Sequence, residues 1–362
     1  PSLKPHPEQA LAVTDMSSAA RLLDRLLANG GPFIDLRAPG EFLIGTVPGA
    51  VNLPLLNDEE RHQVGLTYRE AGQTAAIALG ESLVAGPVKA DRLAAWIEFI
   101  EAHPETWIYC WRGGLRSRTV QDWLREAGVS VERVPGGFKA LRHRCLALLE
   151  SAPGAKPWLV LGGRTGTGKT VVLNQAAGSI DLEGLANHRG SAFGAALSPQ
   201  PTPESFENAL AVAWLKHDHR YLLLEDESRT IGRLALPPVW HAKMQEVPLV
   251  ILESDLQSRA KHIAAEYVAE PLAAGMTEDA LFRRLGDALD RIQRRLGGVR
   301  HKEVRRLLAE GFSNGSHEIW IERLLSWYYD PMYDYQLEKK ADRVIFRGDA
   351  DAVKAYLATC RP

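Results

Sequence analysis

The first half of the chain alternates short apolar runs with amphipathic stretches. Apolar runs predict buried strands at 33–36, 107–109 and 131–134. Helical spacing of apolar residues predicts helices at 19–27 and 93–100. Strands and helices that alternate in this way form a parallel sheet covered by helices. We therefore expect a first α/β domain over residues 1–150.

The second half repeats the α/β pattern and then becomes mainly helical. Four more apolar runs predict strands, at 158–162, 221–225, 247–252 and 343–346. The spacing is helical from residue 277 to about 308, and 351–357 predicts a last helix. Proline and glycine between 151 and 157 predict a linker. We therefore expect a second α/β domain over residues 151–362, with helical additions towards its C-terminus.

Composition narrows the class of protein. A chain of 362 residues with 45% apolar residues is large enough for two packed cores, and its net charge of −2 does not by itself suggest nucleic-acid binding. The three cysteines form no C-x-x-C pair, which favours a reducing compartment over disulfides or a zinc site. The polar, proline-rich residues 1–8 and the lack of a long apolar run favour a cytoplasmic protein with no membrane association. The oligomeric state stays open.

A cysteine lies at a predicted strand-to-helix turn. Cys110 follows the strand at 107–109 and precedes residues with helical spacing. Backbone N–H groups, the helix N-terminus and nearby guanidinium groups at such a turn favour the thiolate and form an anion pocket. We therefore predict that Cys110 is a nucleophile. The residues predicted to bind its anionic donor are Arg112, Gly113, Gly114, Arg116 and Ser117. A buried, inert cysteine would need neither these glycines nor these arginines.

A phosphate loop follows the strand at 158–162. Residues 163–170 fit G-x-x-x-x-G-K-[ST], and an apolar helix start comes directly after them. Glycines in this motif let the backbone wrap a phosphate, while the lysine adds a positive charge and the final hydroxyl can hold Mg²⁺. The residues predicted to bind phosphate or diphosphate are Gly163, Arg164, Thr165, Gly166, Thr167, Gly168, Lys169 and Thr170.

Acidic residues end the next predicted strand. P-loop enzymes commonly place an acid there to hold the metal ion. Asp226 and Glu227 are the two acids that we favour for such a role, with Mg²⁺ as the candidate ion. The alternative is that these acids pair with Arg229 or Arg233.

A basic helical segment lies between residues 283 and 306. It contains nine basic and three acidic residues in a chain whose net charge is −2. A basic stripe can follow a nucleic-acid backbone, although a solvated helix face is an equally common explanation. Aromatic residues at 327–335 favour RNA, because aromatic faces can stack on unpaired bases. The predicted RNA-binding residues are Arg284, Arg291, Arg294, Arg295, Arg300 and Arg305.

Parts of the first half resemble rhodanese domains. The resemblance rests on Asp-Leu-Arg at 35–37, on 45–54, on the cysteine loop and on Pro-Gly-Gly-Phe at 135–138. Arg116 lies six residues after Cys110, one residue further than in the common sulfurtransferase loop. That longer spacing is shared with cysteine-dependent phosphatases and leaves room for a phosphate-bearing donor.

The order of the two domains resembles the tRNA 2-selenouridine synthase family. The resemblance includes both loops and the segments at 186–194, 225–232 and 329–336. It implies a rhodanese-like domain followed by a P-loop NTPase-like domain. It also implies replacement of sulfur by selenium in tRNA that carries 2-thiouridine at the wobble position, with selenophosphate and geranyl diphosphate as co-substrates. Our hypothesis is that Cys110 receives selenium from selenophosphate as a perselenide. The resemblance also implies that Arg189 and Ser191 contact the ligand.

Two other readings stay open from the residues alone. One is a P-loop kinase or ATPase fused to a cysteine-phosphatase-like domain, which predicts nucleotide turnover. The other is a regulatory module whose loops sense phosphate without chemistry, which predicts that Cys110→Ala has no effect.

Overall fold

The structure, a computed structural model, describes residues 7–360, with side chains from residue 18 onward. Residues 1–6, which support the expectation about the N-terminus, lie outside the described part. In chain order the first elements are α1 (Pro7–Asn29), β1 (Phe33–Asp35), α2 (Pro39–Ile44), β2 (Ala50–Asn52), α3 (Asp58–Leu83), α4 (Gly86–Ala102), β3 (Trp107–Tyr109), α5 (Leu115–Glu126), β4 (Glu132–Arg133) and α6 (Gly137–Ala155).

The elements that follow include two π-helical turns. They are β5 (Trp158–Gly162), α7 (Lys169–Gln175), α8 (Leu182–Ala186), α9 (Pro203–Leu215), β6 (Leu222–Glu225), β7 (Thr230–Ile231), β8 (Leu234–Ala235), α10 (Pro238–Met244), β9 (Leu249–Leu252), α11 (Leu256–Ala264), a π turn (Ala265–Ala269), α12 (Glu270–Ala273), α13 (Glu278–Arg291), α14 (Gln293–Leu296), α15 (Gly298–Asn314), α16 (Glu318–Leu324), a second π turn (Leu325–Tyr329), α17 (Asp330–Glu338), a 3₁₀ turn (Ala341–Arg343), β10 (Val344–Gly348) and α18 (Ala350–Thr359).

The chain divides into two compact units. The first comprises Pro1–Glu150 with Thr202–Lys216, and the second comprises Ser151–Pro201 with His217–Pro362. Residues 202–216 were predicted to belong to the second domain, but in the structure they belong to the first unit. Asn208 on α9 shows the reason, because its amide donates to the carbonyl of Thr46 at 2.9 Å and its oxygen accepts from Arg142 at 2.9 Å.

The first unit contains a four-stranded parallel sheet in the order β2-β1-β3-β4. Phe33 lies opposite both Ala50 and Trp107, which fixes the register of its three main strands. The core is built from apolar side chains of the sheet and of helices α4 and α5, with Trp96 among the largest fully buried side chains. The prediction of a parallel α/β fold here is confirmed.

The second unit contains a second four-stranded parallel sheet, in the order β10-β9-β5-β6. Every residue of its inner strands β5 and β9 is buried, as expected when helices cover both faces of a parallel sheet. Helices from α11 to α16 and the second π turn pack around their own apolar cluster, which includes Leu285, Val304 and Trp320. The predicted helical additions are therefore present in this unit.

Three local predictions needed correction. The linker expected at 151–157 is helical up to Ala155, because buried Leu148 and Ala152 continue the apolar face of α6 as far as Pro153. The helix expected from 277 to 308 is broken near Ile292 and at Gly297, whose φ of +89° is outside the helical range. The sequence analysis also missed the 26-residue helix α3.

Among the residues that the structure describes, no helix combines the length and the apolar composition needed to cross a membrane.

Candidate active sites

Cys110 lies at the carboxyl end of β3, in the middle of the first sheet. Two backbone hydrogen bonds from the start of α6 hold this turn: Phe138 N donates to the Cys110 carbonyl at 2.9 Å, and Lys139 N donates to the Trp111 carbonyl at 2.9 Å. The thiol itself is buried. In a parallel sheet this edge is where catalytic turns gather, so the predicted position of the cysteine is the one observed.

Two glycines make the close approach of the cysteine turn and the start of α6 possible. Gly113 has a φ of +64° and Gly137 a φ of +62°, in the left-handed region that favours glycine. A Cβ on Gly137 would be inside van der Waals contact of the Cys110 carbonyl oxygen and the Gly113 nitrogen. Gly114 is different, because a Cβ there would have nothing within 4 Å.

Ser117 is the side chain that contacts the thiol. The Sγ of Cys110 and the Oγ of Ser117 are 3.4 Å apart, and that hydroxyl also donates to the Gly114 carbonyl at 3.2 Å. Ser117 is fully buried in the first turn of α5. The hydroxyl is therefore held beside the sulfur, where it can orient a proton or a bound anion.

The two arginines of the cysteine loop have different settings. Arg116 forms a two-point ion pair with Glu41, at 2.6 and 3.2 Å. Burial opposes the charge on Arg116, but the hydrogen bond and charge of Glu41, with a further contribution from Cys110, raise its pKa overall. Arg112 is exposed and has no hydrogen bond or ion pair with any residue that the structure describes. Arg112 is therefore available to an incoming anion, whereas Arg116 is already oriented by Glu41.

A buried ion pair next to this loop was not predicted from the sequence. Asp35, at the end of β1, and Arg37 form a fully buried ion pair at 2.6 Å. The guanidinium of Arg37 lies 3.6 Å from the centre of the Phe138 ring and donates to the Gly45 carbonyl at 2.7 Å. The pair ties the β1 turn to the start of α6. The Asp-Leu-Arg signature was visible in the sequence, but its partners were not.

Cys145 provides an internal comparison. It lies on α6, fully buried, and burial raises the pKa of its thiol to about 12. Among the described residues all three cysteines are free thiols. Cys110 differs from the other two by its position at a strand-to-helix turn rather than on a helix or at a helix end.

The phosphate loop follows β5 and leads into α7, as predicted. Gly168 caps the helix with a φ of +81°, and Gly166, with a φ of +82°, leaves no room for a Cβ because Ile263 Cδ1 would be 2.7 Å away. Lys169 donates from its ammonium to the Gly163 carbonyl at 2.9 Å, so it spans the loop from within. Backbone N–H groups at a helix start such as that of α7 can bind the oxygens of a phosphate.

Helix α17 fixes this loop through two aspartates. Asp330 forms a bidentate pair with the buried guanidinium of Arg259, and the Nε of Arg259 donates to the Thr165 carbonyl at 2.9 Å. Asp334 pairs with Arg164 at 2.8 and 2.9 Å, on the exposed side of the loop. The predicted role of Arg164 as a phosphate ligand therefore competes with Asp334.

The phosphate loop opens into a cavity of about 920 Å³ inside the second unit. Lys169 and Thr170 line it together with aromatic side chains and arginines from the helical additions. The acidic, basic and aromatic residues that line the cavity include Glu183, Glu227, His262, Tyr267, Arg291, Arg295, Tyr328, Tyr329 and Tyr333. This volume is at the upper end of the range found for small-molecule sites.

Two carboxyl groups lie next to each other in this cavity. Glu183 and Glu227 are hydrogen bonded to each other, and a Cβ built on Gly190 would lie 2.6 Å from one and 2.8 Å from the other. Burial and the charge of Glu183 raise the pKa of Glu227 to about 8. Below them, the buried Glu225 accepts a hydrogen bond from Glu183 N at 2.7 Å. The pair therefore holds a proton near neutral pH, beside the charge of Lys169.

The two predicted metal-linked acids are separated by their partners. Asp226 forms an ion pair with Lys340 at 2.6 Å, whereas Glu227 pairs with Glu183, which the sequence analysis missed. Thr170 and the two glutamates offer the oxygen ligands that Mg²⁺ prefers. Within the described part of the chain, no group of three His, Cys, Asp or Glu side chains is arranged to hold a metal ion.

Arg189 and Ser191 are brought to the same cavity. Arg189 donates to the carboxylate of Glu270 at 2.9 Å and lies over the ring of Tyr267, at 5.5 Å from its centre. The Ser191 hydroxyl is 3.2 Å from the Tyr267 hydroxyl. Tyr267 lies on the first π turn, and Tyr329 ends the second, where its pKa is raised by burial. Each π turn is followed by a proline, which cannot complete a regular helical hydrogen bond.

The six predicted RNA-binding arginines do not form one stripe. Arg291 and Arg295 line the phosphate-loop cavity, and Arg284 lines a neighbouring cavity of about 470 Å³. Arg300 lies 5.7 Å from the centre of the Trp327 ring, and Arg305 is paired with Asp290 at 2.7 Å. The sixth, Arg294, is exposed to solvent. Two of the six therefore share a space with Lys169.

Fold and geometry together define a class of protein. It is a two-part α/β protein with a rhodanese-like cysteine loop in one unit and a P-loop in the other. Known families agree: the model of the tRNA 2-selenouridine synthase AAA domain matches residues 156–361, and that of the rhodanese-like domain matches 18–144.

Similar proteins cover nearly the whole chain. The tRNA 2-selenouridine synthase of Shewanella loihica is 47% identical over 92% of this chain and 94% of its own length. Those of Marinobacter nauticus and Cupriavidus pinatubonensis are each 48% identical, over 91% and 92% of this chain and 95% and 96% of their own lengths. The chain belongs to the tRNA 2-selenouridine synthase family.

Proposed function

We propose that this protein replaces the sulfur of wobble 2-thiouridine in tRNA with selenium from selenophosphate, through an S-geranylated intermediate made from geranyl diphosphate. Membership of the family supports an enzyme of tRNA modification. The observation that carries the finer proposal is the phosphate-loop cavity. It joins a diphosphate site at Lys169 to aromatic walls and to two arginines, which suits an RNA base beside a prenyl diphosphate.

The first step is transfer of the geranyl group to sulfur. The C2 sulfur of the uridine attacks the first carbon of the geranyl chain, a C–S bond forms, and the C–O bond breaks with its electron pair on the diphosphate. Lys169 and the N–H groups at the start of α7 stabilise the charge on that leaving group. Thr170 would hold Mg²⁺ beside that leaving group, where the ion would neutralise further charge on it.

This step also releases a proton. Alkylated 2-thiouridine has no proton on N3, so a base must accept it. The Glu183–Glu227 pair lies in the same cavity. Burial and the Glu183 charge raise the pKa of Glu227 to about 8, so Glu227 keeps its own proton near neutral pH and the Glu183 carboxylate is the group that can accept one. We assign N3 deprotonation to this pair.

The second step uses the cysteine loop. Electron balance favours attack of the Cys110 thiolate on the phosphorus of selenophosphate over transfer of selenium to the sulfur. In the first case an S–P bond forms, the Se–P bond breaks and selenium leaves as selenide; water later releases phosphate. A perselenide on Cys110 would instead require phosphite as the leaving group. The six-residue spacing from Cys110 to Arg116 suits a tetrahedral phosphoryl group.

Selenide then completes the exchange. It adds to C2 of the geranylated base, a C–Se bond forms, and the C–S bond breaks to release geranyl thiolate. The proton of the hydrogen selenide ends on N3. The result is 2-selenouridine, and no nucleotide hydrolysis is needed.

The test is mass spectrometry of nucleosides from 2-thiouridine-containing tRNA. The tRNA is incubated with full-length protein and geranyl diphosphate, selenophosphate or both. Cys110→Ala should stop selenium incorporation and leave geranylation, and Lys169→Ala should reduce geranylation at least about tenfold, since an oxyanion donor contributes on the order of 100-fold. Cys145→Ala and Lys261→Ala are the matched controls, because neither side chain lines a cavity described above.

Two outcomes would contradict the proposal. Wild-type levels of both products in both loop variants would show that neither loop carries the chemistry. Turnover of ATP or GTP by the wild-type protein, abolished by Lys169→Ala and accompanied by no tRNA product, would instead favour the kinase or ATPase reading.

A further inference from the structure

A third cavity, of about 320 Å³, lies in the first unit. Its walls come from the residues after β2, from α3 and from α5, and they are mostly aliphatic or aromatic, including Leu55, Val64, Ile77 and Trp123. The few polar groups lining it include Glu81 and Arg116. An apolar pocket of this size with a small number of polar groups is typical of a small-molecule site.

Helix α3 creates this space by presenting small residues. Ala76 and Gly80 are one helical turn apart and both line the cavity. The helix is also broken at Gly72, where φ is +81° and ψ is −176°. The break lies before Ala76, and α3 lines the cavity both before it, with Val64 and Tyr68, and after it. Larger side chains at Ala76 and Gly80 would fill part of the space.

The cavity adjoins the cysteine loop. Leu55 and Val84 belong to the same buried cluster as Cys110. Arg116 lines the cavity and immediately precedes Ser117, whose hydroxyl is 3.4 Å from the Cys110 sulfur. Leu115, the first residue of α5, also lines it and is half exposed at its mouth. A ligand whose apolar part fills this cavity can therefore place its polar end at Arg116, next in sequence to the serine that contacts the thiol.

We propose that this cavity binds the ten-carbon prenyl chain of S-geranylated uridine during the selenium step. This inference rests on the proposed function, which supplies a substrate that is both apolar at one end and reactive at the carbon next to sulfur. The cavity matches that shape: an apolar pocket for the chain, and the Cys110 loop at its edge for the exchange at C2. The chain then acts as a handle for the intermediate as well as a leaving group.

The test compares two leaving groups in the full-length protein. Two anticodon stem-loop RNAs carry S-geranyl-2-thiouridine or S-methyl-2-thiouridine at the wobble position, and each is supplied with selenophosphate. Wild type should have a kcat/KM for selenouridine formation at least about tenfold higher on the geranylated RNA. Ala76→Phe, which fills the cavity, and Ile77→Asp, which makes its wall polar, should remove that preference and leave the methylated RNA unaffected.

Thr74→Phe is the matched control, since Thr74 is exposed on the same helix and does not line the cavity. A second readout does not depend on catalysis: calorimetric binding of the S-geranyl-2-thiouridine nucleoside, which should be at least tenfold weaker in both cavity variants. If wild type binds this nucleoside and the variants bind it equally well, the cavity is not the prenyl site. If binding depends on the cavity but no selenouridine forms from either RNA, the proposed function fails and the prenyl site stands.

Discussion

The two aspartates of α17 allow a sharp test of how burial sets the strength of an ion pair. Asp330 and Asp334 are one helical turn apart, and each pairs with an arginine that touches the phosphate loop. The Arg259–Asp330 pair has side-chain exposures of 1% and 17%, whereas the Arg164–Asp334 pair has exposures of 44% and 43%. The perturbation is the same truncation, Asp→Ala, at each position.

The expected magnitudes differ because only one truncation leaves a charge buried. Asp330→Ala leaves the buried Arg259 guanidinium without its carboxylate partner. Breaking a buried ion pair in this way lowers the free energy of unfolding by about 3–5 kcal/mol. Because Asp330 is partly exposed, we expect a loss of about 3 kcal/mol. Asp334→Ala removes an exposed pair that contributes about 1 kcal/mol or less. For a unit of about 200 residues these values correspond to falls in Tm of about 6–12 °C and at most about 4 °C.

The assay has two parts, each done at low and at high salt. Thermal unfolding measures the fall in Tm, and hydrogen exchange of peptides shows whether the loss of stability lies in the second unit. High salt should reduce the small effect of Asp334→Ala, because exposed pairs are screened, and should leave the large effect of Asp330→Ala. Equal shifts for the two variants would refute the argument that burial of Arg259 decides the outcome. A shift that appears only in peptides of the first unit would also refute it.

Three further predictions concern the two loops and the arginines. Gly137→Ala should destabilise the cysteine turn by about 1–3 kcal/mol and abolish selenium incorporation, because its Cβ would collide with the Cys110 carbonyl oxygen. Gly114→Ala should behave like wild type, since a Cβ there meets nothing within 4 Å. Equal activity of both variants would contradict this explanation. Because burial and a neighbouring carboxyl raise the pKa of Glu227 from 4.5 to about 8, the folded state binds more protons in this window, so stability should fall as pH rises from about 5 to 8. Denaturant midpoints across that range should be flatter in Glu227→Gln, and an unchanged slope would refute the assignment. Arg295→Ala, at the cavity, should weaken tRNA binding and lower by about 0.9 the slope of log binding constant against log salt concentration. Arg305→Ala should change that slope less, because the Arg305 side chain already has an acidic partner. The reverse order in a filter-binding titration would overturn this ranking.

Local signals in the sequence were enough for the two loops. The strand, the glycines and the reactive side chain of each loop are contiguous, so β3 with Cys110 and β5 with Lys169 were predicted at the positions where they lie. The same holds for the parallel α/β class, which depends on short-range alternation. The linker at 151–157 was predicted wrongly because proline and glycine were given more weight than the apolar face of α6.

Partners that are distant in the sequence could not be predicted. Glu183 meets Glu227 across 44 residues, and Arg259 meets Asp330 across 71. Each acid or arginine alone gives no signal, since most charged residues are solvated. The basic segment illustrates the same limit, because helical spacing could not separate Arg295, at the cavity, from Arg305, which is bound to Asp290.

The amino-acid order alone predicted the candidates for chemistry: a thiol and a lysine, each in a glycine-containing loop that follows a buried strand. Tertiary structure decided what surrounds them, namely the carboxyl pair beside Lys169, the buried arginine beneath the phosphate loop and the apolar space beside Cys110. The physical reason is range. Backbone conformation is set by neighbours in sequence, whereas burial, pKa and cavity shape depend on side chains that only folding brings into contact.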